Sequence, residues 1–337
     1  MKTPVVITDK EYRKGKPVFT RFSDWIDWVV SAEGEVSVSR AINRAGAKIA
    51  VLGVERYRKE LYEALERNAR PGPALIARHG VGYDGVDLEQ CRERRIFLTI
   101  TPGVLDQSVA EHAFALLLAL ARGVPMLDRR MREGGFRGEP GFQLKGKSIG
   151  VAGFGAIGRR AAWIASRGFG MEVHAFDSLS LEEQARRLHR TPDGVLSEYG
   201  LRGYFTDFEP FIRKVQILTI HLSLSESTRR FFNRERFALM NRGTVLVNTS
   251  RGALIDEHSL YEALASGTLK AAGLDVFAQE PYVPAEPERD LRRLANVVLT
   301  PHVASDTPEA NEAIELKVVE NIRAFLDGRY NSLSLAG

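Results

Sequence analysis

Short apolar runs alternate with charged stretches along the first hundred residues of the chain. Residues 5–7 form the first such run, and similar runs at residues 48–52, 74–77 and 96–100 predict further strands. Residues 58–68, between two of these runs, have the composition of a helix. Because strands that alternate with helices form parallel sheets, this part of the chain is expected to fold as an α/β unit.

A more regular series of apolar runs and helical stretches begins at residue 148. It predicts six buried strands with helical crossovers, which describes a doubly wound, Rossmann-like sheet. A helix over residues 257–265 has Asp256 as its N-cap and Gly267 as its stop, and a last amphipathic helix covers residues 308–326. The predicted strands are residues 149–152, 172–176, 217–221, 245–248, 272–276 and 297–300, and the other helices are residues 157–167, 209–214 and 234–240.

Two segments stand apart from this series. Residues 108–122 predict a helix that is apolar almost all round, with Ser108 as N-cap and Glu111 completing a capping box. Such a helix is expected to be buried in a core or an interface. Residues 178–203 are long and charged, and they are interpreted as a surface excursion between a strand and the next helix.

Composition narrows the class of protein. The chain has 337 residues, enough for roughly two domains at about 150 residues each. Hydrophobic residues make up 44% and charged residues 27%, which is typical of a globular protein. Lys and Arg number 47 against 43 Asp and Glu, a net charge of +4, and both signs are mixed along the chain. We therefore expect no nucleic-acid partner.

The sequence also argues against an integral membrane protein and against a metal-binding protein. The longest apolar run, residues 113–121, is far shorter than the about 20 residues of a spanning helix, so no membrane partner is expected. The apolar run near the start is too short for a signal peptide. The single cysteine, Cys91, excludes a disulfide framework and a multi-thiolate zinc site. We expect a cytoplasmic protein without a metal site.

A glycine motif follows the first strand of the second series. Gly153, Gly155 and Gly158 form the spacing G-x-G-x-x-G between a predicted strand and a predicted helix, and Asp177 closes the next strand. This context predicts a dinucleotide site, with the pyrophosphate on the helix N-terminus at Ala156 and Ile157. Since an acidic side chain binds ribose hydroxyls and repels a 2′-phosphate, NAD is favoured over NADP.

Three polar residues follow later strands of the same predicted sheet: Arg251, Glu280 and His302. Ligands of open α/β sheets bind beyond the carboxyl ends of the strands, where all three are expected. Reduction of a 2-oxo acid needs a cation for the carboxylate and a proton donor for the carbonyl oxygen. Arg251 and His302 suit these tasks, and Glu280 would orient the imidazole. Each residue alone has an ordinary structural explanation.

Several short motifs are spread along the chain, at residues 80–87, 109–111, 144–147, 248–252, 274–277, 280–281 and 300–302. In these motifs the chain resembles the D-isomer-specific 2-hydroxyacid dehydrogenases, from about residue 77 to about residue 320. The resemblance implies that Arg251, Glu280 and His302 are catalytic. It also implies a homodimer formed through the apolar helix after Ser108 and the arm that follows, and a cofactor domain inserted into a substrate domain.

Further roles follow from the resemblance. The expected NAD-binding domain covers residues 103–301, and residues 1–102 with 302–337 form the substrate-binding domain. The backbone of Val81 and Gly82 is expected to bind the substrate carboxylate, and Arg78 resembles a phosphate-binding arginine of phosphoglycerate dehydrogenases. The remaining expected cofactor contacts are Leu222, Thr249 and Ser250, and near the nicotinamide carboxamide Asp275 and Ser305.

The resulting hypothesis is an NAD-dependent dehydrogenase of a D-2-hydroxy acid of the phosphoglycerate, hydroxypyruvate or glyoxylate type. One alternative is an NAD-sensing, corepressor-like binding protein without physiological turnover, since some relatives of this fold work in that way. A second alternative is a reductase of a non-carboxylate substrate such as phosphite. Turnover of NADH with a series of 2-oxo acids distinguishes these hypotheses.

Overall fold

The computed structural model describes residues 2–336, which divide into two compact units. One unit runs to Leu105 and includes the segment from Asp306 onward, and the other is Asp106–Ser305. The strands are β1 Thr3–Thr8, β2 Ile26–Ser31, β3 Ile49–Leu52, β4 Ala74–Arg78, β5 Ile96–Thr99, β6 Ser148–Ala152, β7 Glu172–Phe176, β8 Leu201–Phe205, β9 Ile217–Ile220, β10 Thr244–Asn248, β11 Leu269–Leu274 and β12 Val297–Leu299. The helices are α1 Asp9–Phe19, α2 Glu35–Ala45, α3 Glu60–Ala69, α4 Leu88–Glu93, α5 Asp106–Arg122, α6 Val124–Arg132, α7 Ala156–Trp163, α8 Leu181–Arg187, α9 Pro192–Tyr199, α10 Phe208–Ile212, α11 Arg234–Leu239, α12 Glu257–Ala265 and α13 Pro308–Leu326.

The first unit is built on a five-stranded parallel sheet in the order β2-β1-β3-β4-β5. Every residue of β3 and β4 is buried, as expected for central strands that are covered on both faces. The four strands predicted here are confirmed, and β2 adds an edge strand that the apolar pattern did not predict. This is a flavodoxin-like order, in which ligands bind at the carboxyl ends of the strands.

The second unit is a seven-stranded parallel sheet in the order β12-β11-β10-β9-β6-β7-β8. The chain leaves β6 towards β7 on one side and returns to β9 on the other. The carboxyl ends of β6 and β9 therefore flank the topological switch point, where a doubly wound sheet binds its ligand. The predicted fold class, two parallel-sheet α/β domains of Rossmann-like and flavodoxin-like type, is confirmed.

The segment of residues 178–203 is not a surface excursion, so that expectation was wrong. It forms α8 and α9, and residue Leu201 then begins β8, which pairs with β7 as the outermost strand of the sheet. Ser180 caps α8 in a capping box with Glu183. Buried Val195 anchors α9 in the same core as Leu201. The charges of this segment lie on helices that cover the end of the sheet.

Two boundaries also differ from prediction. The helix α5 begins at Asp106, so Ser108 lies inside the helix and does not cap it. The unit boundary after Ser305 places His302 in the second unit, whereas residues 302–337 were expected in the other domain. In contrast, α12 and α13 have their predicted bounds, and the carboxylate of Asp256 accepts the N–H of Ser259 at 2.9 Å.

Within residues 2–336, no single helix is long and apolar enough to cross a membrane. The helices α5 and α6 reach that length and composition only as a pair bent by 61°.

Candidate active site

The glycine motif forms the turn between β6 and α7. Gly153 has φ +96°, a conformation that favours glycine, and a β-carbon on Gly158 would lie 1.9 Å from the carbonyl oxygen of Gly153. A β-carbon on Gly155 would meet nothing within 4 Å. Gly158 is therefore required by packing of the chain itself, whereas Gly155 leaves open space at the first turn of α7, which begins with Ala156 and Ile157.

Asp177 follows β7 and lies beside this turn. Its carboxylate accepts the backbone N–H of Phe154 at 2.7 Å and that of Leu179 at 3.0 Å. The acid is thus held next to the open space at Gly155. An anion-binding helix N-terminus, room for a pyrophosphate and an oriented carboxylate for ribose hydroxyls fit a bound dinucleotide.

Residues after β9 and β10 complete this edge of the sheet. The hydroxyl of Ser250 donates to the carbonyl of Leu222 at 2.5 Å, which ties the two loops together. Thr249 is 7% exposed, and among the described residues its hydroxyl has no hydrogen-bond partner. A buried hydroxyl without a protein partner is uncommon and fits a ligand-binding position.

Glu280 and His302 are brought together as predicted. The Nδ1 atom of His302 lies 2.6 Å from Oε2 of Glu280, and the other carboxylate oxygen accepts the N–H of Phe277 at 3.0 Å. Burial raises the pKa of Glu280, but the hydrogen bond and charge of His302, the Phe277 amide and the charge of Arg251 together bring it below its ordinary value. Since an ionised carboxylate only accepts hydrogen bonds, Nδ1 carries a hydrogen and Nε2 is the atom that can exchange a proton.

Arg251 follows β10 and is half-buried. Its backbone carbonyl accepts Nδ2 of Asn248 at 2.9 Å, and its Nη1 donates to the carbonyl of Ser250 at 2.8 Å. The guanidinium charge is close enough to Glu280 to lower the pKa of that carboxyl. The three predicted residues therefore belong to one electrostatic cluster at the carboxyl edge of the seven-stranded sheet.

A second histidine at this edge differs from His302. His221 follows β9, and its Nε2 lies 2.9 Å from the hydroxyl of Thr219. Desolvation lowers the pKa of His221 to about 4. This imidazole is neutral near pH 7, so His221 cannot be the proton donor of the site at that pH.

Asp275 is engaged by hydrogen bonds from its own neighbourhood, and its expected contact with the nicotinamide carboxamide stays a prediction. Its side chain is fully buried and accepts hydrogen bonds from the hydroxyl of Thr300 at 2.6 Å and from the amides of Val303 and Ala304 at 3.0 and 2.9 Å. The carboxylate thus holds the loop after β12. Ser305 follows this loop and is half-buried, and its contact with a cofactor stays a prediction.

Arg78, in the first unit, is buried and held by backbone carbonyls. It is 4% exposed, and its guanidinium donates to the carbonyls of Gly82 at 2.6 Å, His79 at 2.5 Å and Leu52 at 3.1 Å. A side chain held in this way supports the loop of residues 80–82 from inside, and its expected contact with a substrate phosphate stays a prediction. The substrate contacts of Val81 and Gly82 stay predictions.

Sequence reasoning gave no role to His112. The Nε2 atom of this α5 residue lies 3.0 Å from the hydroxyl of Thr300. In the sequence it is one of several polar residues in the first two turns of a helix whose remainder is apolar. Across residues 2–336, no group of three or more His, Cys, Asp or Glu side chains is arranged to hold a metal ion.

Comparison with known proteins gives a consistent result. A sequence model of the D-isomer specific 2-hydroxyacid dehydrogenase NAD binding domain matches residues 114–304. A glyoxylate reductase of Thermococcus litoralis is 36% identical over 83% of this chain and 80% of that enzyme. A hydroxypyruvate reductase of Thermotoga maritima is 38% identical over 74% of this chain and 76% of that enzyme. The D-lactate dehydrogenase structure of Aquifex aeolicus, complexed with NAD and lactic acid, has a TM-score of 0.82 at 25% identity over 97% of this chain and 96% of that chain.

The glycine turn, the acid after β7 and the polar cluster beyond β10 to β12 define a dinucleotide-dependent oxidoreductase. The chain belongs to the D-isomer specific 2-hydroxyacid dehydrogenase family. It is an NAD-dependent enzyme that acts on the CH–OH group of hydroxy acids, and its small-molecule partners are 2-hydroxy and 2-oxo acids. The predicted family, activity class and cofactor are confirmed.

The two glycines of the turn predict different effects of added methyl groups. Gly158→Ala should lower the free energy of unfolding by about 3 kcal/mol, because the new β-carbon would overlap backbone. Gly155→Ala should cost at most about 1 kcal/mol, the preference for glycine over alanine at an N-cap. It should nevertheless raise the Kd for NADH about tenfold or more, because the methyl group occupies ligand space. Denaturant unfolding measures the free energy of unfolding, and fluorescence titration measures the Kd for NADH. Unchanged NADH affinity in Gly155→Ala would contradict a dinucleotide site at this turn.

Proposed function

We propose that the protein reduces small, unphosphorylated 2-oxo acids of the glyoxylate and hydroxypyruvate class with NADH. The observation that carries this proposal is the 2.6 Å hydrogen bond between Glu280 and Nδ1 of His302, which leaves Nε2 to deliver a proton. Similarity to a glyoxylate reductase and a hydroxypyruvate reductase supports the substrate class. The phosphoglycerate type is disfavoured, because the guanidinium of Arg78 donates to three backbone carbonyls.

The proposed mechanism assigns one task to each residue of the cluster. NADH, when bound, supplies the hydride that reduces C2 of the oxo acid. The His302 imidazolium donates the Nε2 proton to the carbonyl oxygen, and in the reverse direction neutral His302 accepts the hydroxyl proton. Glu280 stays ionised, fixes the tautomer of the ring and stabilises its positive charge. Arg251 binds the substrate carboxylate, for which a planar guanidinium is well matched.

The residues around the cofactor have supporting tasks in this proposal. The N–H groups at the start of α7, at Ala156 and Ile157, bind the pyrophosphate, and Asp177 binds the ribose. Residues of the second unit hold NAD. Val81 and Gly82 are the proposed contacts of the substrate carboxylate. Leu222, Thr249, Ser250 and Ser305 line the cofactor in this proposal.

We also propose that the protein is a cytoplasmic homodimer. Apolar side chains of α6 and the segment after it are exposed, namely Val124 at 54%, Met131 at 55% and Phe136 at 93%. Exposed apolar side chains in one stretch of chain support a contact with a second copy. The buried thiol of Cys91 supports a reducing compartment. Sedimentation of the purified protein tests the dimer.

The substrate class is tested by steady-state oxidation of NADH with glyoxylate, hydroxypyruvate, pyruvate and phosphohydroxypyruvate. We expect the highest kcat/KM with glyoxylate or hydroxypyruvate, and a lower value with the phosphorylated acid. The same assay with NADPH should give a lower kcat/KM, because Asp177 repels a 2′-phosphate. Tight NADH binding without turnover of any acid would favour the NAD-sensing alternative.

His302→Ala should lower kcat by about 10²- to 10⁴-fold, the usual contribution of general acid–base catalysis. The Kd for NADH should stay within about twofold, because the substitution removes only the proton donor. A matched control is His258→Ala on α12, since His258 also pairs with a glutamate, Glu286, at 3.0 Å. Wild-type turnover in His302→Ala would remove His302 from the mechanism.

Arg251→Ala should raise the KM for the oxo acid about 10- to 100-fold, because a hydrogen-bonded charge contributes about 1.5–3 kcal/mol. Arg251→Lys should recover only part of this loss, since an ammonium lacks the planar fork. Arg213→Ala is the control, because Arg213 is an exposed arginine that pairs with Glu209 on α10. Equal KM values for wild type and Arg251→Ala would exclude the proposed carboxylate contact.

Glu280→Gln should shift the pH dependence of kcat/KM for reduction. The pKa of Glu280 lies below its ordinary value, so this carboxylate is ionised throughout the neutral range and favours the imidazolium of His302. Reduction needs a proton donor, so kcat/KM for reduction should fall as the pH rises. Without the negative charge, the alkaline limb should move to lower pH, by about one unit for each 1.36 kcal/mol of lost interaction. An unshifted profile between pH 5 and 9 would argue against the pair.

A further inference from the structure

A chain of hydrogen bonds runs from α5 to the loop that carries His302. The Nε2 atom of His112 lies 3.0 Å from the hydroxyl oxygen of Thr300 and 3.4 Å from Oδ1 of Asp275. The same hydroxyl oxygen lies 2.6 Å from Oδ1 of Asp275. All three side chains belong to the second unit, and the mechanism above uses none of them.

The direction of these hydrogen bonds can be assigned. Burial raises the pKa of Asp275, but hydrogen bonds from His112, Thr300 and the amides of Val303 and Ala304 bring it below its ordinary value. The ionised carboxylate is an acceptor only, so the single hydroxyl hydrogen of Thr300 points to Asp275. The Thr300 oxygen must then accept from His112, whose hydrogen is on Nε2.

Asp275 in turn holds the backbone on both sides of His302. Its carbonyl accepts the N–H of His302 at 2.8 Å, and its carboxylate accepts the N–H groups of Val303 and Ala304. His302 has φ +55°, the left-handed region, which a residue with a side chain adopts only when its surroundings impose it. The orientation of Asp275 therefore decides where the imidazole of His302 lies.

We propose that His112 is a positioning residue for His302. Its Nε2–H fixes the hydroxyl of Thr300, the hydroxyl fixes one oxygen of Asp275, and Asp275 fixes the strained loop in which His302 meets Glu280. The kinetic consequence rests on the proposed function, whereas the effect on the loop does not.

Hydrogen exchange of the protein without cofactor tests the effect on the loop. His112→Leu replaces the N–H donor with an apolar side chain. His112→Gln retains an N–H donor close to the position of Nε2. In His112→Leu the amides of Val303 and Ala304 should exchange about tenfold faster or more, while the amide of Val151 in β6 keeps its rate. His112→Gln should stay near the wild-type rates. Thr300→Val removes the hydroxyl that links His112 to Asp275. It should therefore raise the exchange rates of the same amides as His112→Leu does.

Kinetics test the consequence for catalysis. In His112→Leu, kcat for the oxo acid should fall about 10- to 100-fold, the size expected for misplacement of a catalytic group. The Kd for NADH should stay unchanged, and the isotope effect with 4-deuterated NADH should increase as the chemical step becomes limiting. A purely structural role would lower the melting temperature without changing the isotope effect of the folded enzyme, and His112→Gln should restore both.

The outcomes separate the two proposals. Unchanged exchange of Val303 and Ala304 in both His112→Leu and Thr300→Val overturns the positioning role, whether or not the wild type turns over. Faster exchange in a protein whose wild type reduces no 2-oxo acid supports the positioning role and overturns the proposed function. Faster exchange with unchanged kcat and isotope effect in an active enzyme overturns the role of His112 in catalysis.

Discussion

The fully buried carboxylate of Asp275 is the constraint on which the geometry of the candidate site depends. An ionised group removed from water is destabilising by several kcal/mol unless donors surround it. The hydroxyl of Thr300 and the amides of Val303 and Ala304 supply these donors. They can do so only if the chain turns back over the end of β11, and this turn gives His302 its left-handed conformation. The hydrogen bond between His302 and Glu280 follows from where that turn leaves the imidazole.

The features that were predictable from the sequence are those in which local pattern and burial agree. The central strands are apolar because both faces are covered, so their positions follow from composition alone. The glycine motif was identifiable because strand, turn and helix follow one another within a few residues. The pairing of Glu280 with His302 was predictable because both follow strands of one parallel sheet, whose carboxyl ends lie at the same edge. The bounds of α13 followed from its capping residue and apolar period.

The features that were missed depend on contacts between distant segments. The edge strand β8 begins with buried Leu201 but is otherwise only partly buried, so it lacks the apolar run of a central strand. The guanidinium of Arg78 bonds the carbonyl of Leu52, a backbone atom that no side-chain pattern reveals. His112 and Thr300 are 188 positions apart, and one histidine within an apolar helix gives no sign of its partner. Ser108 and Glu111 satisfied a local capping pattern, but the helix begins earlier, at Asp106.

Burial explains why two carboxylates after the same strand have different tasks. Asp275, immediately after β11, is fully buried, and its oxygens accept hydrogen bonds from the Thr300 hydroxyl and from backbone amides. It can fix a conformation but exchanges no proton. The side chain of Glu280 is 32% exposed and contacts an imidazole, a group that can donate or accept a proton. The charge of Glu280 therefore acts on a proton-transfer equilibrium, whereas that of Asp275 acts on a backbone conformation. If Asp275 lacked its surrounding donors, it would be an uncompensated charge in the core. If Glu280 did not contact His302, the tautomer of that imidazole would not be fixed.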